Sequence, residues 1–403
     1  MNVQRVYDDG LCMQCGTCEG ICPSGSVALT WDLRVGYRLR VDEKACADCG
    51  RCHDACPGLG LDFSAGAWWR ERNEGAPFED FLGPWRRLAF GWASDPEVRH
   101  LGASGGVATV LIQAALETGL VDAVVAVRMS PANPMEAEAV ICHSAGEVAA
   151  CRGSKYNVVA INGVLGRVRD EPGRYALVGL PCHIQGLRLA QRHSLRLRER
   201  VTLAMGVFCG HTNEPRATAV LARQAGLDPA NVREVSYRGP GWPGAMRLVS
   251  DRGLTRWRAY PDYVDRRFMA LTPPRCRICP DALAELADVS VGDAWLDRFE
   301  GSDGVSDLIA RTPAGEHLLD DAAASLVLQA ATPAEIVASQ ADTYGVKRSA
   351  CRGRLWLRSL AGKPVPEYPG LALSASAGDR VLGSADAARE RLFRFLVDRR
   401  HPD

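Results

Sequence analysis

Apolar positions are distributed unevenly along this chain. In the first sixty residues they form only short runs, Val27 to Thr30 and Tyr37 to Val41, which predict two strands around a turn. From Leu101 the pattern turns to that of a sheet domain. Gly105-Gly106 opens an apolar run of helical character, Val107 to Glu117, and VDAVVAV (Val121 to Val127) follows as a buried strand. Tyr175 to Leu180, Val201 to Phe208 and Asp288 to Val291 are further strand candidates, and Ala282 to Leu286 reads as a short helix. Such alternation predicts an α/β domain. Residues 64–98 mix Trp68, Trp69, Trp85 and Trp92 with Gly, Pro and charge, and read as a linker whose indoles pack on the next domain. A tail ends in an amphipathic helix, Ala387 to Val397. The expected organisation is a module at 1–63, a linker at 64–98, a domain at 99–350 and a tail at 351–403.

Composition narrows the function. Lys+Arg and Asp+Glu both total 48, so the formal net charge is zero and neither nucleic acid nor an anionic membrane is indicated as the main partner. No apolar run reaches the ~18 residues that would suggest a membrane span. Met1 to Gly10 is polar and has no signal-peptide core, so a soluble, cytoplasmic protein is expected. The fifteen cysteines do not fit a small disulfide scaffold, given the length of the chain.

Eight of these cysteines form two identical arrays, Cys12-x-x-Cys15-x-x-Cys18-x-x-x-Cys22-Pro23 and Cys46-x-x-Cys49-x-x-Cys52-x-x-x-Cys56-Pro57. The spacing is that of bacterial two-cluster ferredoxins, in which the fourth cysteine of each array reaches the other cluster. One 4Fe-4S cluster is expected on Cys12, Cys15, Cys18 and Cys56, the other on Cys46, Cys49, Cys52 and Cys22. Structural zinc prefers paired CxxC or CxxH ligands and suits two runs of four poorly. Such a module carries single electrons and does no substrate chemistry itself.

Four more cysteines stand at telling positions. Cys182 and Cys209 follow predicted strands, and Cys276 and Cys279 form a CxxC. Sites collect beyond the carboxyl ends of strands in α/β sheets, so the four can close a thiolate cage. By spacing alone, isolated buried thiols and a zinc or redox-active CxxC remain equally open readings. Cys142, Cys151 and Cys351 read as structural thiols. Ser104-Gly105-Gly106 before a helix offers N–H groups and a helix dipole to an anion, and Gly153-Ser154-Lys155-Tyr156 adds a cation and hydroxyls. Each is a weak signal alone, and no GxGxxG accompanies them. Arg238-Gly239-Pro240-Gly241-Trp242-Pro243 and Gly292-Asp293-Ala294-Trp295 read either as a wall for an anionic planar ligand or as loops packed by Trp. His183 and His211, each beside a cysteine of the cage, are candidates for proton transfer or for hydrogen bonding around a cluster.

In one order, the run from Gly102 to Val127, GSKY, VGLPCH, GVFCGH and CRICPDALAELADVSVGDAW resemble the beta subunit of the coenzyme F420 hydrogenases and dehydrogenases. The resemblance covers roughly residues 99–350. It implies a third 4Fe-4S cluster on Cys182, Cys209, Cys276 and Cys279, and an FAD site lined by Ser104, Gly105, Gly106, Gly153, Ser154, Lys155 and Tyr156. The fold expected is an α+β ferredoxin-like two-cluster module followed by an α/β flavin-binding domain. The function implied is an FAD-dependent iron–sulfur oxidoreductase with three 4Fe-4S clusters, a ferredoxin or other redox protein as partner, and coenzyme F420 as the first substrate to test. The alternative is a relay subunit, in a homo- or hetero-oligomer, that feeds a partner enzyme. The family tends to have Gly-Ser-Val-Gly where this chain has Gly292-Asp293-Ala294-Trp295, a departure at the expected substrate end.

Overall fold

A computed structural model describes residues 1–64 and 67–400. Residues 65, 66 and 401–403, parts of the expected linker and tail, lie outside the described residues. At the N-terminus, β1 (Val27–Asp32) and β2 (Gly36–Val41) pair antiparallel, Val27 opposite Val41, between the two cysteine loops. Two short strands, β3 (Phe78–Glu79) and β4 (Gly83–Pro84), form a small hairpin before the main sheet.

The main sheet contains β5 (Arg87–Ala93), β6 (Ala123–Met129), β7 (Ala137–Cys142), β8 (Tyr175–Gly179) and β9 (Val201–Val207). A separate antiparallel sheet follows, made of β10 (Val232–Ser236), β11 (Ala245–Ser250) and β12 (Thr255–Ala259). The chain then returns with β13 (Val289–Asp293), β14 (Ser306–Ala310) and β15 (Leu326–Ala330). The eight strands are ordered β15-β5-β14-β13-β9-β8-β6-β7. β13, β9, β8 and β6 run parallel, and the strands outside them are antiparallel.

The parallel strands are apolar on both faces because both are covered. Val124, Ala176 and Leu203 pack with Leu111 and Ile112 of the helix Val107–Glu117, whereas Val125, Leu177 and Ala204 pack with Ile184 and Leu187 of the helix Pro181–His193. Phe63 and Trp69 belong to this second core, so the N-terminal module and the sheet domain share apolar packing.

Three expectations need correction. Residues 64–98 are not simply a linker, because β5 lies between β14 and β15 in the sheet. The expected helix at Ala282 to Leu286 is absent. Ala284 takes a positive φ of 55°, its N–H donates to Asp281 Oδ1, and Leu283 O accepts from Arg311. The final helix is longer than expected, Ala377–Arg400, and is tied to the body of the protein. Arg354 bonds Asp386 and Glu390, Arg277 pairs with Glu390, and Arg394 with Glu214.

Candidate functional site

The two arrays interleave. Cys12, Cys15 and Cys18 line one cavity together with Cys56, and Cys46, Cys49 and Cys52 line another together with Cys22. Gly16 (φ 85°) and Gly50 (φ 74°) stand at the N-termini of the short helices Thr17–Gly20 and Arg51–Asp54, in the left-handed region that glycine alone enters freely. Among the described residues, no three His, Cys, Asp or Glu side chains are close enough together to hold a single metal ion. Four thiolates at about 2.3 Å from one zinc would be in mutual contact. The crossed lining of the two cavities is the arrangement expected of two 4Fe-4S clusters.

Cys182 opens the helix Pro181–His193 directly after β8, Cys209 follows β9, and Cys276 and Cys279 flank the turn Cys276–Ile278. Cys182 interacts electrostatically with Cys276, Cys209 and Cys279, and also with Cys15 of the first array. Burial pushes the Cys209 thiol up to about 12 and raises Cys182 and Cys276 as well. Thiols held back from ionisation in this way are donors that a cationic cluster would complete. Lys347, only 2% exposed, opposes the shift at Cys209 and Cys276. No sequence signal singled out Lys347, since its burial arises only when the segment Gly345–Ala350 packs near the CxxC turn.

The third cysteine group touches both sides of the molecule. Towards the first array, Cys15 Sγ lies 3.2 Å from Thr17 Oγ1, and Asn162 Nδ2 donates to both Thr17 Oγ1 and the His183 carbonyl at 2.8 Å. Towards the sheet domain, Thr212 and Asn213, three and four residues beyond Cys209, both donate to the Tyr156 carbonyl. His183 is a structural group. Its Nδ1 accepts from the Leu180 N–H at 3.0 Å, its Nε2 bonds the Val159 carbonyl at 2.8 Å, and burial lowers its pKa to about 4. Burial and the charges of Lys347 and Arg277 lower His211 to about 4 as well.

The motifs scattered along the sheet domain converge. Ser104 Oγ donates to the Gly292 carbonyl at 3.2 Å, next to Asp293. Asp293 holds Arg238 through two bonds of 2.7 and 2.8 Å and accepts from Trp242 Nε1 at 2.8 Å. The Arg238 guanidinium lies over the Tyr260 ring, which stacks on Trp295 at 5.6 Å. Tyr156 meets Tyr237 edge-on at 5.6 Å, and the Gly241 N–H donates to the His100 carbonyl. Arg238 is thus buried and neutralised by Asp293, and serves the loop packing rather than an anionic ligand.

Two expected roles change at atomic detail. Lys155 Nζ is occupied by the carbonyls of Cys151, Arg152 and Gly153, with burial lowering its pKa to about 8. It is not presented to a phosphate. A Cβ at Gly105 or Gly106 would lie 2.8 Å from the carbonyl of Gly304 or Val98, so the side-chain face of the turn is filled by protein. The N–H face differs. Among the described residues, no acceptor is bonded to the N–H of Gly105, Gly106 or Val107, at the start of an 11-residue helix. The amide nitrogens of Gly105 and Gly106 nevertheless lie in a buried turn, that of Gly105 against Gly304 and that of Gly106 against Gly102.

Sequence comparison matches residues 89–166 to the N-terminal part, and residues 173–336 to the C-terminal part, of the coenzyme F420 hydrogenase/dehydrogenase beta subunit. The two parts occur in order and span β5 to β15. The chain belongs to this family. Residues 11–60 match a 4Fe-4S dicluster domain, so this family member carries an iron–sulfur electron-transfer module. A coenzyme F420 hydrogenase subunit beta of Methanothermobacter thermautotrophicus is 26% identical over 252 residues, 60% of this chain and 82% of that protein. A coenzyme F420-dependent sulfite reductase of Methanocaldococcus jannaschii is 27% identical over 333 residues, 78% of this chain but 46% of its own length. The chain therefore spans about half of that reductase. A chain of the F420-reducing [NiFe] hydrogenase complex from Methanosarcina barkeri shares the fold, with a TM-score of 0.57 at 19% identity over 72% of this chain and 98% of that one. No helix among the described residues is long and apolar enough to cross a membrane.

Proposed function

We propose that the chain is an FAD-dependent iron–sulfur oxidoreductase that links ferredoxin-type clusters to a flavin and reduces or oxidises a small substrate, with coenzyme F420 the first candidate. One observation carries this reading. Cys182, Cys209, Cys276 and Cys279 lie between the first cysteine array, through Cys15, and the neighbourhood where Ser104, Tyr156, Arg238 and Asp293 meet. In this reading the twelve cysteines hold three 4Fe-4S clusters, two in the crossed arrangement of the arrays and one in the buried group. A bound flavin supplies the exchange between single electrons and a hydride.

The chain's own residues supply position and exclusion of water. The N–H groups at the start of the helix Val107–Glu117 would hold a phosphate at the favourable end of the helix dipole. Tyr156, Tyr260, Trp242 and Trp295 form an aromatic wall that Arg238 and Asp293 brace from inside. Burial lowers His183 and His211 to about 4, so both favour the neutral form, and His183 is fixed between the Leu180 N–H and the Val159 carbonyl. A second reading has its own support, since the relatives include a hydrogenase subunit and a chain of a hydrogenase complex. Here the chain relays electrons between a ferredoxin or similar redox protein and a partner enzyme.

The test is iron and flavin analysis of anaerobically purified protein, followed by rapid mixing with a ferredoxin-type donor. About 12 Fe per chain are expected from three cubanes, with FAD released on denaturation. In a Cys279→Ser variant the arrays should still reduce with dithionite, while donor-driven flavin reduction slows at least tenfold. A reproducible value near 8 Fe, or an unchanged donor-to-flavin rate in the variant, overturns the assignment. Turnover of coenzyme F420 by the isolated chain favours the enzyme over the relay.

A further inference from the structure

Two cysteines outside the twelve lie in contact. Cys142 ends β7, the edge strand of the sheet, and Cys151 follows the helix Ala145–Ala150. Their Sγ atoms are 3.8 Å apart, with Cys142 buried and Cys151 half-buried. Between them runs only a tight connection, pinned where Ser144 caps the helix and Glu147 accepts from the His143 N–H. The Cys151 carbonyl is one of the three that hold Lys155 Nζ, so Cys151 is anchored to the segment Gly153–Tyr156.

We propose that Cys142 and Cys151 form a reversible disulfide by exchange with low-molecular-weight disulfides, making this pair a thiol redox site separate from the twelve cluster cysteines. The chemistry favours Cys151 as the attacking group. Cys151 is the half-buried member of the pair and Cys142 the buried one, and the contact with Cys142, with Lys155 and Arg128 nearby, favours the Cys151 thiolate. The Cys151 thiolate attacks one sulfur of the small disulfide, and a small thiolate leaves. Cys142 then loses its proton and attacks the Cys151 sulfur, which expels the second small thiolate. Two protein thiols give up two electrons and two protons, and the small disulfide becomes two thiols. The product ties the sheet edge to the base of the Gly153–Tyr156 segment. Its bearing on cofactor binding rests on the proposed function; the bond itself does not.

The full chain, with its clusters and under anaerobic conditions, is incubated with oxidised glutathione, quenched in acid, alkylated and digested for mass spectrometry. The expected result is a linked peptide pair, 142 with 151, lost on adding dithiothreitol, with iron content unchanged. Cys142→Ser should trap glutathione on Cys151, and Cys151→Ser should leave Cys142 unmodified. If Cys142→Ser does not fold, the parent and Cys151→Ser decide the matter. The proposal is overturned if both thiols of the parent remain fully alkylated. It is equally overturned if glutathione stays on Cys151 without passing to Cys142, or if the bond forms only as iron is lost.

Discussion

Gly106 serves the protein's own packing before it serves any ligand. Its φ is 79°, and a Cβ there would press on the Val98 carbonyl at 2.8 Å. A Gly106→Ala variant is therefore expected to lose about 1–3 kcal/mol of stability. The loss should be as large in flavin-free protein as in loaded protein, measured by denaturant unfolding of both. A loss confined to the loaded form would mean that the glycine is there for the ligand. Asp307 makes a pH prediction at the same scale. Its Oδ2 accepts from Ser339 and from Gln340 Nε2 at 2.8 Å, its Oδ1 has no partner among the described residues, and burial pushes its pKa up to about 8. An unfolded aspartate ionises near 4, so between the two values the unfolded chain is charged while the folded one retains its proton. Stability from this group is full below about pH 4 and is lost as pH rises towards 8. Unfolding midpoints at about pH 5 and pH 8 should converge in Asp307→Asn. Equal pH slopes in parent and variant would refute the assignment.

At the scale of elements, local chemistry was legible and tertiary burial was not. The cysteine arrays announce themselves because a cubane demands its ligands at short, fixed spacing, and β6, β8, β9 and β13 because strands covered on both faces must be apolar. β5 escaped notice because Arg87-Leu-Ala-Phe-Gly-Trp-Ala sits in a stretch of Gly, Pro and charge that resembles a linker, and only its place between β14 and β15 shows what it is. Ala282 to Leu286 has helical composition, yet Asp281 and Glu285 are buried there among Arg311 and Arg348, and those charges override propensity. Lys155 looked like a phosphate ligand, and only coordinates reveal that backbone carbonyls hold it. The element-scale prediction concerns Asp288, which immediately precedes β13. Its Oδ2 accepts from Arg188 Nη2 at 2.9 Å and from the Ala204 N–H at 2.8 Å, and its Oδ1 from Arg72 and Thr312. Asp288→Ala leaves the guanidinium of Arg188 buried without its counter-charge and should cost about 3–5 kcal/mol. Chemical denaturation would show it. A loss below about 1 kcal/mol would mean that the Arg188 side chain finds water or another partner.

For the whole molecule, the question is how the cluster module is held at a useful place against the sheet domain. One close approach is between glycines and buried polar groups. Gly186, inside the helix Pro181–His193, faces Thr17, and Gly20 faces the carbonyl of Asn162. These contacts bring the first array, through Cys15 and Thr17, against the helix that starts with Cys182. Gly-to-Ala within a helix ordinarily stabilises by up to about 1 kcal/mol. At Gly186 the added Cβ would meet Thr17 Oγ1 and the Asn162 amide, so the sign should reverse. Gly186→Ala is expected to keep the second array loaded, because Thr17 lines the cavity of the first array and not that of Cys46, Cys49, Cys52 and Cys22. It should, however, increase amide exchange at Thr17 and Asn162 and slow electron passage from the first array to the rest of the chain. The two readouts separate the causes. Slower transfer without loosened exchange would point to a changed cluster rather than to a displaced module. Unchanged exchange with unchanged transfer would show that the contact yields, and that the N-terminal module is positioned by the apolar packing of Phe63 and Trp69 instead.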